Sequence, residues 1–391
     1  MSSFARLTIA CITIAALVGC STYDAVRVAR IATSKDPAAL ARSMVQDKAV
    51  RYVVDPASLE RDLKRFGRLL DALREAVGRT WGGDEVREPT PKEYVKYTQN
   101  YQSRAMVDFD KGIITVETID QRVPKASLKN AIVTTLLTPD DPRAVDMFSD
   151  RTVELGETPF LYTEVKDHEG KDIRSDWRAG RFADYLIRSV KTRQVTLDGQ
   201  ERAVLFVTIP MVQDHANIRA RKYSELVNRM ADRYGVSRNL VYAIIKTESD
   251  FNPFAVSRAP AFGLMQIVPT SAGRDVHQFL NGRDGVPSRD FLFMAENNIE
   301  YGTVYLHLLQ DKYLKGIEPE VTLEYCTIAA YNGGAGSVLR TFDPDQTKAF
   351  ERINGLAPLE VYRTLRRDLP YEETRRYLAK VLEAKKDFVN F

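Results

Sequence analysis

The sequence predicts an α+β domain followed by an all-helical domain, both behind an amino-terminal targeting segment. Two stretches, 105–119 and 203–209, alternate apolar and polar residues as half-buried strands do. After residue 213 the apolar residues recur at helical spacing to the end of the 391-residue chain. The boundaries expected from these changes are 1–19 for the targeting segment, 20–91 for a helical linker, 92–212 for the α+β domain and 213–391 for the helical domain.

The composition is that of a soluble globular protein, with 44% hydrophobic and 28% charged residues. The formal net charge is only +3, so the composition gives no reason to expect a nucleic-acid partner. The histidines show no metal-ligand spacing with one another or with a cysteine, and we expect no metal. They are His168, His215, His277 and His307.

The first nineteen residues have the pattern of a secretory signal, with basic Arg6 before an apolar run at 7–18 that is too short to cross a bilayer comfortably. The run ends in Leu17-Val18-Gly19-Cys20, which resembles the lipobox of bacterial lipoproteins, whose signal is cut before an acylated cysteine. The resemblance implies a lipid anchor on Cys20, with several acyl chains for stable attachment. The alternative is an ordinary signal peptide with an incidental cysteine.

Two neighbouring observations refine this expectation. Ser21 stands where lipoproteins kept in the inner membrane often carry Asp, so the resemblance implies the periplasmic face of the outer membrane. Cleavage before Cys20 also removes Cys11, which leaves Cys326 without a disulfide partner if Cys20 is acylated. Cys326 lies in a helical pattern and is expected to be a small buried residue.

The predicted linker contains an amphipathic helix that Gly78 and 81–83 are expected to end. Because fewer than three heptads are present, the pattern favours a helix that lies on its own protein or spaces the domains from the membrane over a coiled coil. A membrane-surface helix is a further alternative. The apolar residues, spaced by three or four, are Leu59, Leu63, Phe66, Leu70, Leu73 and Val77.

The α+β domain is predicted to contain a β-hairpin around the turn at 110–112, two short helices at 128–137 and 182–190, and a strand at 203–209. It has no paired carboxylates, no glycine-rich phosphate loop and no metal-ligand spacing, so we assign it no chemistry.

The helical domain is predicted to contain several long helices. These are 223–234 closed by Gly235, a helix that begins after Ser237 and is ended by Asn252-Pro253, 295–313, 323–330 and a last helix after Pro370.

The predicted helix after Ser237 carries one carboxylate on an otherwise apolar face. Ser237 is a suitable N-cap, and the apolar face contains Leu240, Val241, Ile244 and Ile245. Glu248 follows four residues after Ile244 and so continues that face. Poor hydration there raises the pKa of a glutamate toward the range that a general acid needs. The alternative is a buried glutamate that only pairs with a basic residue.

Five short motifs follow one another along the helical domain. They are Glu248-Ser249, Gly263-Leu264-Met265-Gln266, Asn298-Ile299, Ala330-Tyr331-Asn332-Gly333-Gly334 and Glu373-Thr374-Arg375-Arg376-Tyr377. Together they resemble the signature of the lysozyme-like lytic transglycosylases. The resemblance implies a lysozyme-like fold for this domain and peptidoglycan glycan strands as its substrate. The amino-terminal region is similar to the accessory region of a membrane-bound member, where a role in substrate positioning is implied.

The resemblance also implies a reaction with one working carboxyl and no metal or organic cofactor. Glu248 protonates the glycosidic oxygen between N-acetylmuramic acid and N-acetylglucosamine, and its carboxylate then takes the proton of the C6 hydroxyl, which closes a 1,6-anhydro ring. Asp250 points the other way on the helix and is expected to cap the turn at 252–253. Glu373 and Asp275 stay open as second carboxylates.

Other site residues follow from the matching motif positions. Tyr377 is implied to hydrogen-bond the acid, and Gln266, Tyr331 and Asn332 are implied to line the cleft around the sugar amides. Two further residues are implied to bind substrate: Met265 as a wall residue and Ser257 near an acetamido group. The loop at 258–262 departs from the glycine-rich sequence common before this motif.

Two other functions remain open for this pattern. One is a hydrolytic muramidase on the same fold, and the other is a non-catalytic murein-binding lipoprotein. We expect a monomer, but nothing in the sequence determines the oligomeric state. The sequence does not distinguish endo- from exo-action or cross-linked from peptide-free glycan as the preferred substrate, and it does not reveal the ligand of the α+β domain.

Overall fold

A five-stranded antiparallel sheet forms the centre of the amino-terminal domain. The computed structural model describes residues 56–156, 158–258, 260–389 and 391, and only the backbone of residues 56–63 and 65. The predicted signal, Cys20 and the start of the predicted linker lie outside the described residues. The strand order is β1-β2-β3-β5-β4. The strands are β1 Glu93–Thr98, β2 Ser103–Asp108, β3 Ile113–Thr118, β4 Lys191–Leu197 and β5 Gln200–Pro210.

The predicted hairpin and the predicted strand at 203–209 are confirmed as β2, β3 and β5. Asp108 pairs with Ile113 across the hairpin, and Gly112 turns the chain at a φ of +64°. The sequence analysis missed β1 and β4. Four successive residues of β1 are buried, so it has no alternation, whereas β4 is an edge strand that is mostly exposed.

In its described residues the domain has three α-helices, α1 Pro56–Trp81, α2 Pro124–Leu136 and α3 Asp176–Ile187. Helices α1 and α2 contact the sheet, and α3 packs against α2. The apolar face of α1 is buried from Phe66 to Trp81, which confirms the interpretation of a helix that lies on its own protein. The ring of Phe66 contacts Phe148 at 5.1 Å and Phe262 of the helical domain at 5.5 Å. Helix α1, which the sequence analysis placed in the linker, therefore packs against both domains.

The second domain is helical throughout the residues that the structure describes, as predicted. Its helices are α4 His215–Arg221, α5 Ser224–Tyr234, α6 Arg238–Ser249, α7 Ala272–Asn281, α8 Arg289–Leu292, α9 Ala295–Leu308, α10 Glu320–Gly333, α11 Ala335–Phe342, α12 Gln346–Asn354, α13 Pro358–Asp368 and α14 Glu372–Lys385. Helices α4, α7, α8 and α11 to α13 were not predicted. No helix in the described part of the chain is both long and apolar enough to cross a bilayer.

Helix α6 is the central helix of this domain and packs against α14, which also packs against α10. Its predicted apolar face, Leu240 to Ile245, is fully buried. Ser237 occupies the N-cap position, although its side chain makes no capping hydrogen bond. Cys326 on α10 is buried as predicted, and burial raises the pKa of its thiol to about 12.

The two domains meet at a buried arginine on α4. The guanidinium of Arg219 donates to Glu164 Oε2 at 2.9 Å and to the Phe109 carbonyl at 3.0 Å, both in the first domain. It also donates to the Asp250 carbonyl at 3.0 Å, two residues after Glu248. Because Arg219 is only 2% exposed, these bonds fix the end of α6 relative to the sheet domain.

Candidate active site

Glu248 lies in the last turn of α6, and Tyr377 faces it from α14. The Tyr377 hydroxyl donates a 2.7 Å hydrogen bond to Glu248 Oε1, as the resemblance implied. Burial, and next the charge of Glu248, raise the pKa of Tyr377 well above its usual value. The phenol therefore stays protonated and remains a hydrogen-bond donor to the carboxyl.

The protonation of Glu248 is set by opposing effects. Burial raises its pKa, the hydrogen bond from Tyr377 lowers it, the charge of Glu373 raises it and the charge of Lys92 lowers it, with a result of about 7. The side chain nevertheless remains partly exposed. A carboxyl with this pKa can give and take a proton near neutral pH, which one residue needs to serve as acid and then base.

The motif at 263–266 is held by a fully buried amide. Asn298 Oδ1 accepts from the Met265 amide at 2.7 Å, and its Nδ2 donates to the carbonyls of Phe262 and Leu292, both at 2.8 Å. Gly263 adopts a φ of +75°, and a Cβ there would lie 2.3 Å from Asn298 Nδ2. The backbone of this motif is therefore fixed in one conformation.

Ser249 joins the motif to the helix of Glu248. Its hydroxyl donates to the Leu264 carbonyl at 2.7 Å, and the Ile245 carbonyl oxygen lies 3.1 Å from the same hydroxyl oxygen. The acid and the wall of the cleft consequently share one rigid support. The pair Glu248-Ser249 belongs to the sequence motif, but this role of the serine was not predicted.

Gln266 and Tyr331 extend the site beyond the acid. Gln266 Nε2 donates to the carbonyls of Gly263 at 2.8 Å and Ala255 at 3.2 Å. Its Oε1 is buried without a hydrogen-bond partner among the described residues. The Tyr331 hydroxyl donates to the Met265 carbonyl at 2.8 Å. Burial, and next the charge of Glu248, raise the pKa of Tyr331, which places this ring near the acid.

Asn332 is exposed at the end of α10 and is oriented by a residue that the sequence analysis did not single out. The Thr374 hydroxyl donates to Asn332 Oδ1 at 2.7 Å. Thr374 lies three residues before Tyr377, on the same face of α14. The three-residue spacing of Thr374 and Tyr377 within the last sequence motif could have indicated this role of Thr374. Helix α14 thus positions both the Glu248 carboxyl and the Asn332 amide.

Met265 does not line the cleft as the sequence analysis expected. Its side chain is 0% exposed, and a Cβ on Gly302 of α9 would lie 2.2 Å from its sulfur. The closely packed Met265 side chain lies behind the cleft wall and supports it. The Met265 backbone makes the hydrogen bonds with Asn298 and Tyr331.

The prediction for Asp250 was wrong. Asp250 ends α6 in the left-handed conformation, at a φ of +52°, and it is Asn252 whose Oδ1 caps the turn by accepting from the Phe254 amide at 2.9 Å. Of the open second carboxylates, Glu373 is exposed, whereas Asp275 accepts from Tyr313 at 3.0 Å. Glu248 is the carboxyl of the site that combines a pKa of about 7 with the hydrogen bond from Tyr377.

Ser257 lies where the helical domain borders the sheet domain. It is partly exposed, and its hydroxyl oxygen accepts from the Ala261 amide at 3.2 Å. The neighbouring Asn252 Nδ2 donates to the Pro91 carbonyl at 3.0 Å, next to Lys92. The sheet domain therefore reaches the site, which sequence motifs confined to the helical domain could not indicate.

Comparisons with known proteins show the family of this chain. The membrane-bound lytic murein transglycosylases C of Yersinia pestis (strain Pestoides F) and of Yersinia pseudotuberculosis serotype O:1b (strain IP 31758) are each 47% identical to this chain over 330 residues. The match spans 84% of this chain and 91% of either relative. The chain belongs to the membrane-bound lytic murein transglycosylase C family.

Two family models match successive parts of this transglycosylase. Residues 59–222 match the N-terminal domain of membrane-bound lytic murein transglycosylase C, and residues 225–354 match the transglycosylase SLT domain. The first match includes most of α1. The 70 kDa soluble lytic transglycosylase of Escherichia coli matches with 26% identity and a TM-score of 0.35, over 45% of this chain and 26% of that protein. The predicted α+β domain followed by an all-helical lysozyme-like domain is confirmed.

Proposed function

We propose that this enzyme cleaves the β-1,4 bond between N-acetylmuramic acid and N-acetylglucosamine in peptidoglycan and leaves 1,6-anhydro-muramyl ends. The observation that carries the proposal is the Glu248–Tyr377 pair, a partly buried carboxyl with a pKa of about 7 and a fixed hydrogen-bond donor. The relatives named as lytic murein transglycosylases support the same reaction class.

The first step breaks the glycosidic bond. Protonated Glu248 gives its proton to the bridging oxygen, the bond from this oxygen to C1 of the muramoyl residue breaks, and the glucosamine leaves with a free 4-hydroxyl. The acetamido oxygen of the substrate stabilises the cation at C1. Tyr377 stabilises the new carboxylate by continuing to donate its hydrogen bond.

The second step closes the ring. The Glu248 carboxylate takes the proton of the C6 hydroxyl, and O6 forms the new bond to C1. Glu248 is thereby returned to its acid form, and no water is consumed. A pKa near 7 suits both directions of proton transfer, since neither protonation state of Glu248 is then strongly disfavoured at neutral pH.

Three polar residues are proposed to position the sugars. Gln266 Oε1 is a buried acceptor without a partner among the described residues, so it suits the N–H of an acetamido group. Asn332 has its oxygen engaged by Thr374, which orients its amide nitrogen as a donor. Ser257 is proposed to lie near a further acetamido group.

The decisive experiment is digestion of purified murein followed by mass spectrometry of the products. We expect anhydro-muramyl products, and Glu248→Gln should abolish them while leaving murein binding intact. Reducing-end products would show a hydrolytic muramidase, and murein binding without any product would show a non-catalytic binding protein. The chain length of the products also separates endo- from exo-action.

We also propose that the protein is a monomer held by acyl chains on Cys20 at the periplasmic face of the outer membrane. The sequence before Cys20 and the membrane-bound relatives support this. Cys20→Ala should release the protein into the soluble fraction. Sedimentation of this variant with outer-membrane fragments, as for the wild type, would contradict the proposed anchor.

A further inference from the structure

A cavity of about 820 Å³ lies between the two domains. It is lined by Arg74 of α1, by most of the segment 83–93 of the sheet domain, and by 256–258 of the helical domain. The mechanism proposed above leaves this cavity unused apart from Ser257.

The cavity lies next to the catalytic cleft. Pro91 lines it, and the Pro91 carbonyl accepts a hydrogen bond from Asn252, four residues after Glu248. The adjacent Lys92 carries a charge that lowers the pKa of Glu248, so the same segment of the sheet domain also reaches the acid. The cavity is therefore a candidate site for a substituent that branches from a sugar in the cleft.

Two arginines, one from each domain, are available to bind an anionic ligand in the cavity. Arg87 is exposed, and its guanidinium donates to the carbonyls of Asp84 and Val86. Among the described residues no carboxylate lies within 4.0 Å of it. Arg258 is 84% exposed, and its nearest carboxylate oxygen is Glu88 Oε2 at 3.4 Å.

The other charged groups of the cavity do not neutralise this pair. Glu88 is occupied by Arg74, whose guanidinium donates to both of its carboxylate oxygens and also to Asp71. Glu93 also lines the cavity, so three arginines, Arg74, Arg87 and Arg258, stand against two carboxylates. The cavity thus has an excess of positive charge that suits an anionic ligand.

Muramic acid is the sugar of peptidoglycan that carries a substituent of this kind, a short peptide with several free carboxylates. We propose that the cavity binds a carboxylate of this peptide through Arg87 and Arg258, so that the enzyme prefers peptide-bearing to peptide-free glycan. This inference rests on the proposed function of the neighbouring site. Planar guanidinium groups are well suited to bidentate carboxylate recognition.

The test compares two substrates, peptide-bearing glycan strands and the same strands stripped of peptides by an amidase. The full-length wild type should show a higher kcat/KM on the peptide-bearing strands. Arg87→Gln and Arg258→Gln should each lower the ratio of the two kcat/KM values several-fold, and the double variant about tenfold or more, as expected for the loss of charge-assisted hydrogen bonds. Arg188→Gln, an exposed arginine elsewhere on the sheet domain, should keep the wild-type ratio.

A purely structural defect would lower both kcat/KM values alike and leave their ratio unchanged. An unchanged ratio in the double variant, or a wild type without preference for peptide-bearing strands, would overturn the proposal.

Calorimetric titration with a soluble muramoyl peptide separates this inference from the proposed function. Binding that is lost in the double variant would support the cavity even if the wild type produced no anhydro-muramyl ends. In that case only the proposed reaction would fail. Equal binding by the wild type and the double variant would reject the cavity as the peptide site.

Discussion

Tyr377 donates its hydroxyl proton to Glu248 across 129 residues of sequence, in a hydrogen bond of 2.7 Å. The hydrogen bond and burial shift the pKa of Glu248 in opposite directions, because the hydrogen bond stabilises the carboxylate whereas burial stabilises the neutral acid. Burial is the larger of the two effects, and the pKa of Glu248 comes to about 7. The four predictions that follow concern this balance and the packing that maintains it.

Removal of the Tyr377 hydroxyl should raise the pKa of Glu248. In Tyr377→Phe the carboxylate loses a hydrogen bond of about 1.5–3 kcal/mol, so the alkaline limb of the kcat/KM profile should move up by roughly one pH unit or more. The pH dependence of anhydro-muramyl product formation measures this shift. Tyr371→Phe is the matched control, because Tyr371 begins the same helix but is 64% exposed. An alkaline limb that stays in place in Tyr377→Phe would contradict the prediction.

Two charges near Glu248 should move the same limb in opposite directions. Lys92→Met removes a cation that lowers the pKa of Glu248, so the limb should rise, whereas Glu373→Gln removes an anion that raises it, so the limb should fall. Each shift should be a few tenths of a pH unit. It should shrink in high salt, because both charges act on Glu248 through solvent, where dissolved ions screen them. Shifts in the same direction would show that these charges do not act on the acid as inferred.

The raised pKa of Glu248 should also make the fold less stable at alkaline pH. The folded protein retains the proton up to about pH 7, whereas the unfolded chain releases it near its ordinary value of 4.5. The stability that this proton contributes is therefore complete below pH 4.5, falls between pH 4.5 and 7, and is absent above.

In Glu248→Gln the side chain at position 248 does not titrate, so it makes no pH-dependent contribution to stability. The difference in unfolding free energy between this variant and the wild type should grow by about 1–3 kcal/mol, in favour of the variant, as the pH rises from 4.5 to 8. Chemical denaturation at several pH values measures it. A difference that does not change with pH would mean that Glu248 titrates as it does in the unfolded chain.

Gly302 should be required for the packing of Met265 behind the cleft wall. A Cβ at this position would lie 2.2 Å from the sulfur and 2.8 Å from the Cβ of Met265, so Gly302→Ala should destabilise the fold by about 1–3 kcal/mol despite the better helix propensity of alanine. Gly78→Ala is the control, because a Cβ there meets no atom within 4 Å. It should stabilise α1 slightly, and equal unfolding midpoints for the two variants would refute the packing argument.

Much of the architecture follows from local sequence patterns. The alternation at 105–119 is sufficient to predict the β2–β3 hairpin, and the spacing from Leu240 to Glu248 is sufficient to predict α6 and its buried face. Strands β1 and β4 were missed because four successive residues of β1 are buried, whereas β4 lies at the exposed edge of the sheet with only two buried residues, Val195 and Leu197.

The sequence by itself determined the order of the motifs, the apolar face that carries Glu248 and the succession of a sheet domain and a helical domain. Only the tertiary structure decided that Met265 is buried, that Thr374 orients Asn332 and that Pro91 and Lys92 bring the sheet domain to the site. The reason is physical. Periodicity is a property of neighbouring residues, whereas the desolvation of a carboxyl and the partner of a hydroxyl depend on groups that folding brings together from distant parts of the chain.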